Sequence, residues 1–282
     1  MASGENLTPG DSPEDMVRFE IRNQVAWITI HNPEKGNAIS PVMRDRMASL
    51  LNGLNGRFEA RAVVITATGR KLFCPGADIS VGRETAPRPD GAPESAVGEA
   101  RRMMLDGQLK LMPALLDCEL PVIAAVNGTA AGVGAHLALC CDLVIMADHA
   151  KFIEVFARRG LVPDGLGAWI LPRLVGLQKA RELMFFAEDI PADEALRIGL
   201  CNKVVPGDDL EDATTEWAER LASGPTRSLM LTKWLVNRSL DVDRRTLEDN
   251  EAWAVELNSR TLDSQEGIAS FRERRDPVWR GY

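Results

Sequence analysis

The chain has 282 residues, with 33 Lys and Arg against 41 Asp and Glu, a formal net charge of −8. A hydrophobic share of 45% is that of a globular protein with a real core, and the length suits one large domain or a domain with a helical appendage. The acidic balance argues against a nucleic-acid surface, which needs clustered cations, and runs such as "PVIAAV" and "LVIMA" are too short to span a bilayer.

The opening "MASGENLTPGDSPED" is polar and has no charged-then-apolar leader, so a flexible N-terminus over 1–15 and a cytoplasmic protein are expected. "VRFEIRNQVAWITI" alternates apolar and polar residues on both sides of "RNQ" and predicts a β-hairpin. After the loop "NPEKGNAIS", Ser40 and Pro41 open a helix as N-cap and first residue, with Met47, Leu50, Leu51 and Leu54 on one face. "AVVITA" is a buried strand followed by the loop "TGRKLFCPGADIS". Residues 81–98, rich in Pro, Gly and Ala, predict a mobile loop. A helix from about residue 99 leads to Pro121, followed by the strand "PVIAAV", the helix "GVGAHLALCC" and the strand "LVIMA". Short helices around 177–187 and 192–198 precede the last strand, "CNKVV", and from Asp208 the chain is helical and amphipathic. Strands alternating with helices argue for an α/β layer architecture, here with a core over 16–207 and a helical segment over 208–282.

Five cysteines with no CxxC spacing suggest neither a disulfide framework nor a zinc site. Cys140 and Cys141 lie in an apolar run and are expected to be small core residues. Cys74 has no evident base near it in sequence.

Two Gly/Ala-rich stretches present backbone rather than side chains. In "AAVNGTAAGVGAHLALCCD" a strand ends at a turn of small residues that opens a helix, where unsatisfied amides suit an oxyanion. A tight strand–helix crossing would need the same residues. "FCPGADIS" is a second such loop, in which Asp78 suits a turn cap. Amides from two separate loops are the fixed donors that an enolate oxygen requires. In "LVPDGLGAW" an acid sits between turn formers and is followed at once by apolar residues. Asp164 therefore suits both a turn, through a side-chain bond to backbone two residues on, and a carboxyl whose pKa burial would raise.

Taken in order, "NPEKGNAIS", "FCPGADIS", "IAAVNGTAAGVGAHLALCCDLVIMA", "KFIEVFARRGLVPDGLGAWILPRLVG" and "DEALRIGLCNKVV" resemble the crotonase superfamily, the enoyl-CoA hydratase/isomerase family. The resemblance covers about residues 17–206 by motif and the rest by helical character. It implies an α/β fold, a ββα-superhelix spiral that binds acyl-CoA and assembles as trimers or dimers of trimers. It places oxyanion amides on Ala77 and Val133, and implicates Lys35, Ala38, Asp78 and Ile79 in holding CoA. No metal or separate cofactor is implied, because CoA enters as part of the substrate.

Two glutamates that hydratases of this family use fall here on His136 and Phe156. Phe156 cannot hold a water or move a proton, so it is left as a lining of the acyl pocket. The remaining acid is Asp164, in the turn where the family's double-bond isomerases place a single Asp or Glu. The resemblance thus implies 3-enoyl-CoA to 2-enoyl-CoA isomerisation in fatty-acid or aromatic-acid catabolism. The alternatives are hydration or C–C hydrolysis with His136 assisting Asp164, and a non-catalytic acyl-CoA-binding homologue. His136 is otherwise a part-buried, hydrogen-bonded helix residue. Glu154 and Arg158, four apart, are expected to form a surface ion pair on a helical turn, with an approach of Glu154 to the site as the less favoured alternative. Arg159 and Arg173 would meet CoA phosphates or be solvated, and Trp169 belongs to the core.

Overall fold

The computed structural model describes residues 12–80, 89–93 and 97–282. The expected mobile loop over 81–98 lies largely outside those residues, as do residues 1–11 of the expected flexible start. Residues 12–15 are not frayed: helix α1 (Pro13–Met16) is capped by the Ser12 side chain, and Glu14 pairs with Arg46 at 2.8 Å.

Strands β1 (Val17–Arg22) and β2 (Val25–Ile30) form the expected hairpin. Asn23 and Gln24 both take positive φ, 51° and 61°, the left-handed pair that matches the twist of a two-residue hairpin. Helix α2 (Pro41–Leu54) opens where expected, the Ser40 hydroxyl accepting from the Met43 amide at 3.3 Å. It buries Met43, Met47, Leu51 and Leu54, each worth about 1.5–3 kcal/mol relative to exposure.

From there the chain climbs in repeated strand–strand–helix turns. Strand β3 (Ala62–Ala67) is followed by β4 (Leu72–Cys74), then by α3 (Glu99–Asp106) and α4 (Leu111–Leu116). The single helix expected up to Pro121 is therefore two, broken at Gly107, whose φ of −122° and ψ of −99° no α-helix accommodates. The next turn is β5 (Val122–Val126), β6 (Thr129–Ala131) and α5 (Val133–Leu139). After β7 (Leu143–Ala147) and β8 (Lys151–Ile153) come α6 (Gly167–Val175) and α7 (Leu177–Phe186). Strand β9 (Asp189–Pro191), α8 (Ala192–Ile198) and β10 (Lys203–Val205) complete the core.

In the pairs β3-β4, β5-β6 and β7-β8 the first strand joins one sheet, in the order β1-β2-β3-β5-β7-β10, and the second joins another, in the order β4-β6-β8-β9. The first is parallel apart from the β1–β2 hairpin, the second parallel apart from β8–β9. This is a ββα spiral.

Helix α9 (Leu210–Ala222) packs across β3, β5 and β7. Helix α10 (Thr226–Arg238) docks on its own chain through Lys233. The Lys233 ammonium reaches Asp142 at 2.8 Å and the carbonyls of Leu115 and Leu120 at 3.1 and 3.2 Å. Helices α11 (Arg244–Ser259) and α12 (Leu262–Glu273) follow, and the C-terminal tail returns so that Asp263 accepts from the amides of Arg280 and Gly281. No helix among the described residues is long and apolar enough to cross a membrane.

Candidate active site

The two Gly/Ala loops meet. Residue 77 forms a parallel bridge with Ile39: the Ile39 amide donates to the Gly76 carbonyl, and the Asp78 amide to the Ile39 carbonyl, each at 2.9 Å. In such a bridge the Ala77 N–H points to the opposite edge. A Cβ at Gly76 would stand 3.8 Å from the Val133 amide nitrogen, so the two loops adjoin. Val133 is the first residue of α5, so its N–H has no acceptor within the helix. Gly132, with φ 52° and ψ −125°, turns the chain from β6 into that helix in a conformation only glycine adopts readily. Gly134 lets the helix press on β4, since a Cβ there would meet the Cys74 carbonyl oxygen at 2.1 Å.

The CoA-holding candidates flank the Ile39–Ala77 bridge. Lys35 Nζ reaches Ser80 Oγ at 2.8 Å, and Asp78 accepts from the Ser80 amide and hydroxyl at 2.9 and 2.6 Å. The Ser80 hydroxyl is the main reason the Asp78 carboxyl is held below its ordinary value, so this acid caps its turn. Ala38 is buried, whereas Ile79 is 94% exposed.

The turn at Asp164 is closed by backbone, not by the acid's side chain as the sequence suggests. Gly165 and Leu166 take left-handed φ of 55° and 62°, and the Gly167 amide donates to the Asp164 carbonyl at 3.1 Å. For Leu166 that conformation costs about 1–2 kcal/mol, and α6 starts from it without a side-chain cap. A Cβ on Gly165 would stand 3.5 Å from the Val133 side chain, so the turn adjoins the α5 N-terminus. Asp164 Oδ1 is buried and, among the described residues, has no hydrogen-bond partner. Burial raises the Asp164 pKa above its ordinary value, opposed by the His136 charge and its own amide.

His136 is fully buried. Its Nδ1 lies 2.6 Å from the Asp164 carbonyl oxygen and its Nε2 3.1 and 3.0 Å from the two carboxylate oxygens of Glu154. The ring of Phe156 stacks on it, centroids 5.4 Å apart and planes at 14°. The far edge of Phe156 is 3.4 Å from where a Gly132 Cβ would stand, so this ring lies between His136 and the β6–α5 turn.

Several expectations fail. Glu154 does not pair with Arg158, because residues 154–156 are not helical: Glu154 is 2% exposed and turned to His136, while Arg158 binds Asp189 at 2.9 Å. The missed signal is a lone acid in the apolar run "FIEVF", because a buried charge must find a partner. Arg173 is neither solvated nor free for a phosphate. Its guanidinium lies 4.0 Å over the Trp169 ring and pairs with Asp241. Trp169 does pack against the core, as expected, but is only partly buried and lines a cavity of about 670 Å³ with Leu116, Trp234 and Trp253. Arg159 is exposed. Cys74 is buried with its pKa raised to about 12 by desolvation, so it is no nucleophile.

Residues 20–282 match the family described as enoyl-CoA hydratase/isomerase. The chain is 38% identical to a probable enoyl-CoA hydratase of Rhodobacter capsulatus, covering 94% of this chain and 98% of that protein. It is 32% identical to the 1,2-epoxyphenylacetyl-CoA isomerase of Escherichia coli, over 95% and 99%. The crystal structure of an enoyl-CoA hydratase from Bacillus anthracis superposes with a TM-score of 0.84 at 30% identity, covering 95% of this chain and 100% of that one. By match, identity and shared spiral, the chain belongs to the enoyl-CoA hydratase/isomerase family and has the crotonase fold.

Proposed function

We propose that this family member is an acyl-CoA double-bond isomerase that converts 3-enoyl-CoA to 2-enoyl-CoA, with Asp164 as base and then acid. The observation that carries the reading is Asp164 Oδ1, which is buried and, among the described residues, has no hydrogen-bond partner, in the turn beside Val133. In this scheme the thioester carbonyl accepts hydrogen bonds from the Ala77 and Val133 amides, which acidifies C2. Asp164 takes the C2 proton, the electrons move into the carbonyl oxygen, and the dienolate is held by the two amides. The same carboxylic acid returns the proton at C4 and is ionised again, so one group suffices. Phe156 walls the acyl group, and Lys35, Ala38, Asp78 and Ile79 hold CoA. The scheme uses no metal or cofactor besides the CoA of the substrate.

Hydration is the second reading, favoured by the name of the Rhodobacter relative. Against it, both ring nitrogens of His136 are engaged, which leaves Asp164 to activate water alone. Incubation with 3-enoyl- and 2-enoyl-CoA thioesters separates the two. The proposal expects a 3-to-2 shift and no water addition; hydration of the 2-enoyl substrate supports the second reading, and binding without turnover contradicts both.

We further infer a cytoplasmic homotrimer or dimer of trimers. Support for assembly comes from apolar side chains left in solvent on the C-terminal helices, among them Trp253 and Val255 on α11 and Ile268 and Phe271 on α12. Five free, buried cysteines suit a reducing compartment.

A further inference from the structure

Two titratable groups beneath the site have no part in the proposed reaction, yet they contact it. His136 and Glu154 come from different elements 18 residues apart, and each is almost wholly buried. A carbonyl oxygen only accepts, so the 2.6 Å contact with Asp164 requires a proton on His136 Nδ1. At the other end, Nε2 is nearly equidistant from both Glu154 oxygens, at 3.0 and 3.1 Å. A protonated carboxyl would turn one oxygen, the one bearing hydrogen, toward the ring. The even spacing is that of an N–H shared by two oxygens of a carboxylate.

We propose that His136, as an imidazolium paired with the Glu154 carboxylate, is a positioning residue that clamps the turn carrying Asp164. The inference deepens the isomerase reading and rests on it for its catalytic consequence. The clamp acts on the one backbone group that closes the turn, since the Asp164 carbonyl accepts from both His136 and the Gly167 amide. Fixing that peptide fixes the Asp164 Cα, and with it the direction in which the carboxylate leaves the backbone. A turn with Leu166 in a left-handed conformation needs such an outside restraint. The imidazolium also places a positive charge beside Asp164. The other charged groups on the surrounding elements are committed elsewhere or outside: Arg158 to Asp189, Arg173 to Asp241, and Arg159 to solvent. Glu154 is thus the carboxylate that faces the ring, and Cys74, on β4 beneath α5, stays a neutral thiol.

Glu154→Gln keeps the shape and a hydrogen bond to Nε2 while removing the negative charge, so the ring should become neutral. In ¹⁵N-histidine-labelled protein at neutral pH, with the signal assigned by its loss in His136→Asn, both His136 ring nitrogens should be protonated in the wild type and only one in Glu154→Gln. With 3-enoyl-CoA, kcat of Glu154→Gln should fall about 10-fold with KM nearly constant, the usual sign of a misdirected group. Loss of the positive charge should also move the Asp164 titration, followed by ¹³C-carboxyl NMR, and the acid limb of kcat to higher pH. His136→Asn, whose amide can still donate to the Asp164 carbonyl, should retain more kcat than His136→Ala. A wild-type His136 with one unprotonated nitrogen, or a folded Glu154→Gln with wild-type kcat and acid limb, would overturn the proposal. If the wild type does not isomerise 3-enoyl-CoA, the functional reading fails, while the nitrogen spectrum and the Asp164 titration still decide the clamp.

Discussion

A Cβ on Gly167 would stand 2.0 Å from Cε1 and 2.1 Å from Nε2 of His136, so the first residue of α6 and the buried imidazole share a boundary with no room for a methyl group. Neither can yield easily, because the ring is held at both nitrogens and covered by Phe156. Gly167→Ala should destabilise the fold by about 3 kcal/mol, the upper range for an overpacked core. Adding His136→Ala should return part of that loss, because it vacates the space. Thermal or denaturant unfolding of the two singles and the double measures the coupling; strictly additive effects would mean that the two residues do not compete.

Asp164 should leave a mark on stability as well as on rate. Its folded pKa lies above the unfolded one because of burial. Between those two values the native state binds a proton that the unfolded chain has released, so stability falls as pH rises through the interval. Above the unfolded value the cost of ionising the buried carboxyl grows, and it is complete above the folded one. Asp164→Asn should therefore have a higher Tm than the wild type at neutral pH, by about 2 °C per kcal/mol recovered. The gap should close as pH falls below the ordinary carboxylate range. Scans at matched protein concentration that show an equal or lower Tm at neutral pH would contradict this.

The thiols make a separate check on packing. All five cysteines are buried, and burial pushes Cys74 and Cys140 up to about 12 and Cys201 to about 11. A thiol reagent at mildly alkaline pH should find no fast-reacting group in the native protein and five after denaturation. A rapid native reaction at Cys74 would show that the loop beside it is open.

Light scattering tests the inferred assembly. Apolar side chains on α11 and α12, with Phe271 85% exposed, would be left in water by a monomer. A trimer or hexamer mass at micromolar concentration is expected, and a monomer would contradict it.

The parts legible in sequence were those with a period or a cap. The alternation of the hairpin, the Ser40-Pro41 helix start and the start of α5 after Gly132 all follow local rules and stand where expected, although the turn before α5 holds the unexpected strand β6. The second sheet escaped notice because its strands, β4, β6, β8 and β9, have three residues each, too few to display alternation. Helix α6 was hidden because it follows a left-handed Leu166, has no capping side chain and contains Pro172. At the site, the two small-residue loops and Asp164 were legible as motifs, whereas the His136–Glu154 contact was not. Spacing rules for ion pairs hold within one helix, and this pair is made by the spiral bringing α5 against the end of β8.

Whether Asp164 carries the proton is decided by the turnover of Asp164→Asn on 3-enoyl-CoA. Asparagine matches the size of the acid and leaves untouched the backbone that closes the turn, but it cannot accept and return a proton. A fall in kcat of about 10²–10⁴ is expected, the usual worth of a positioned acid/base, with acyl-CoA affinity little changed because the amides of Ala77 and Val133 remain. Near-full isomerase turnover by the folded Asn variant would contradict it.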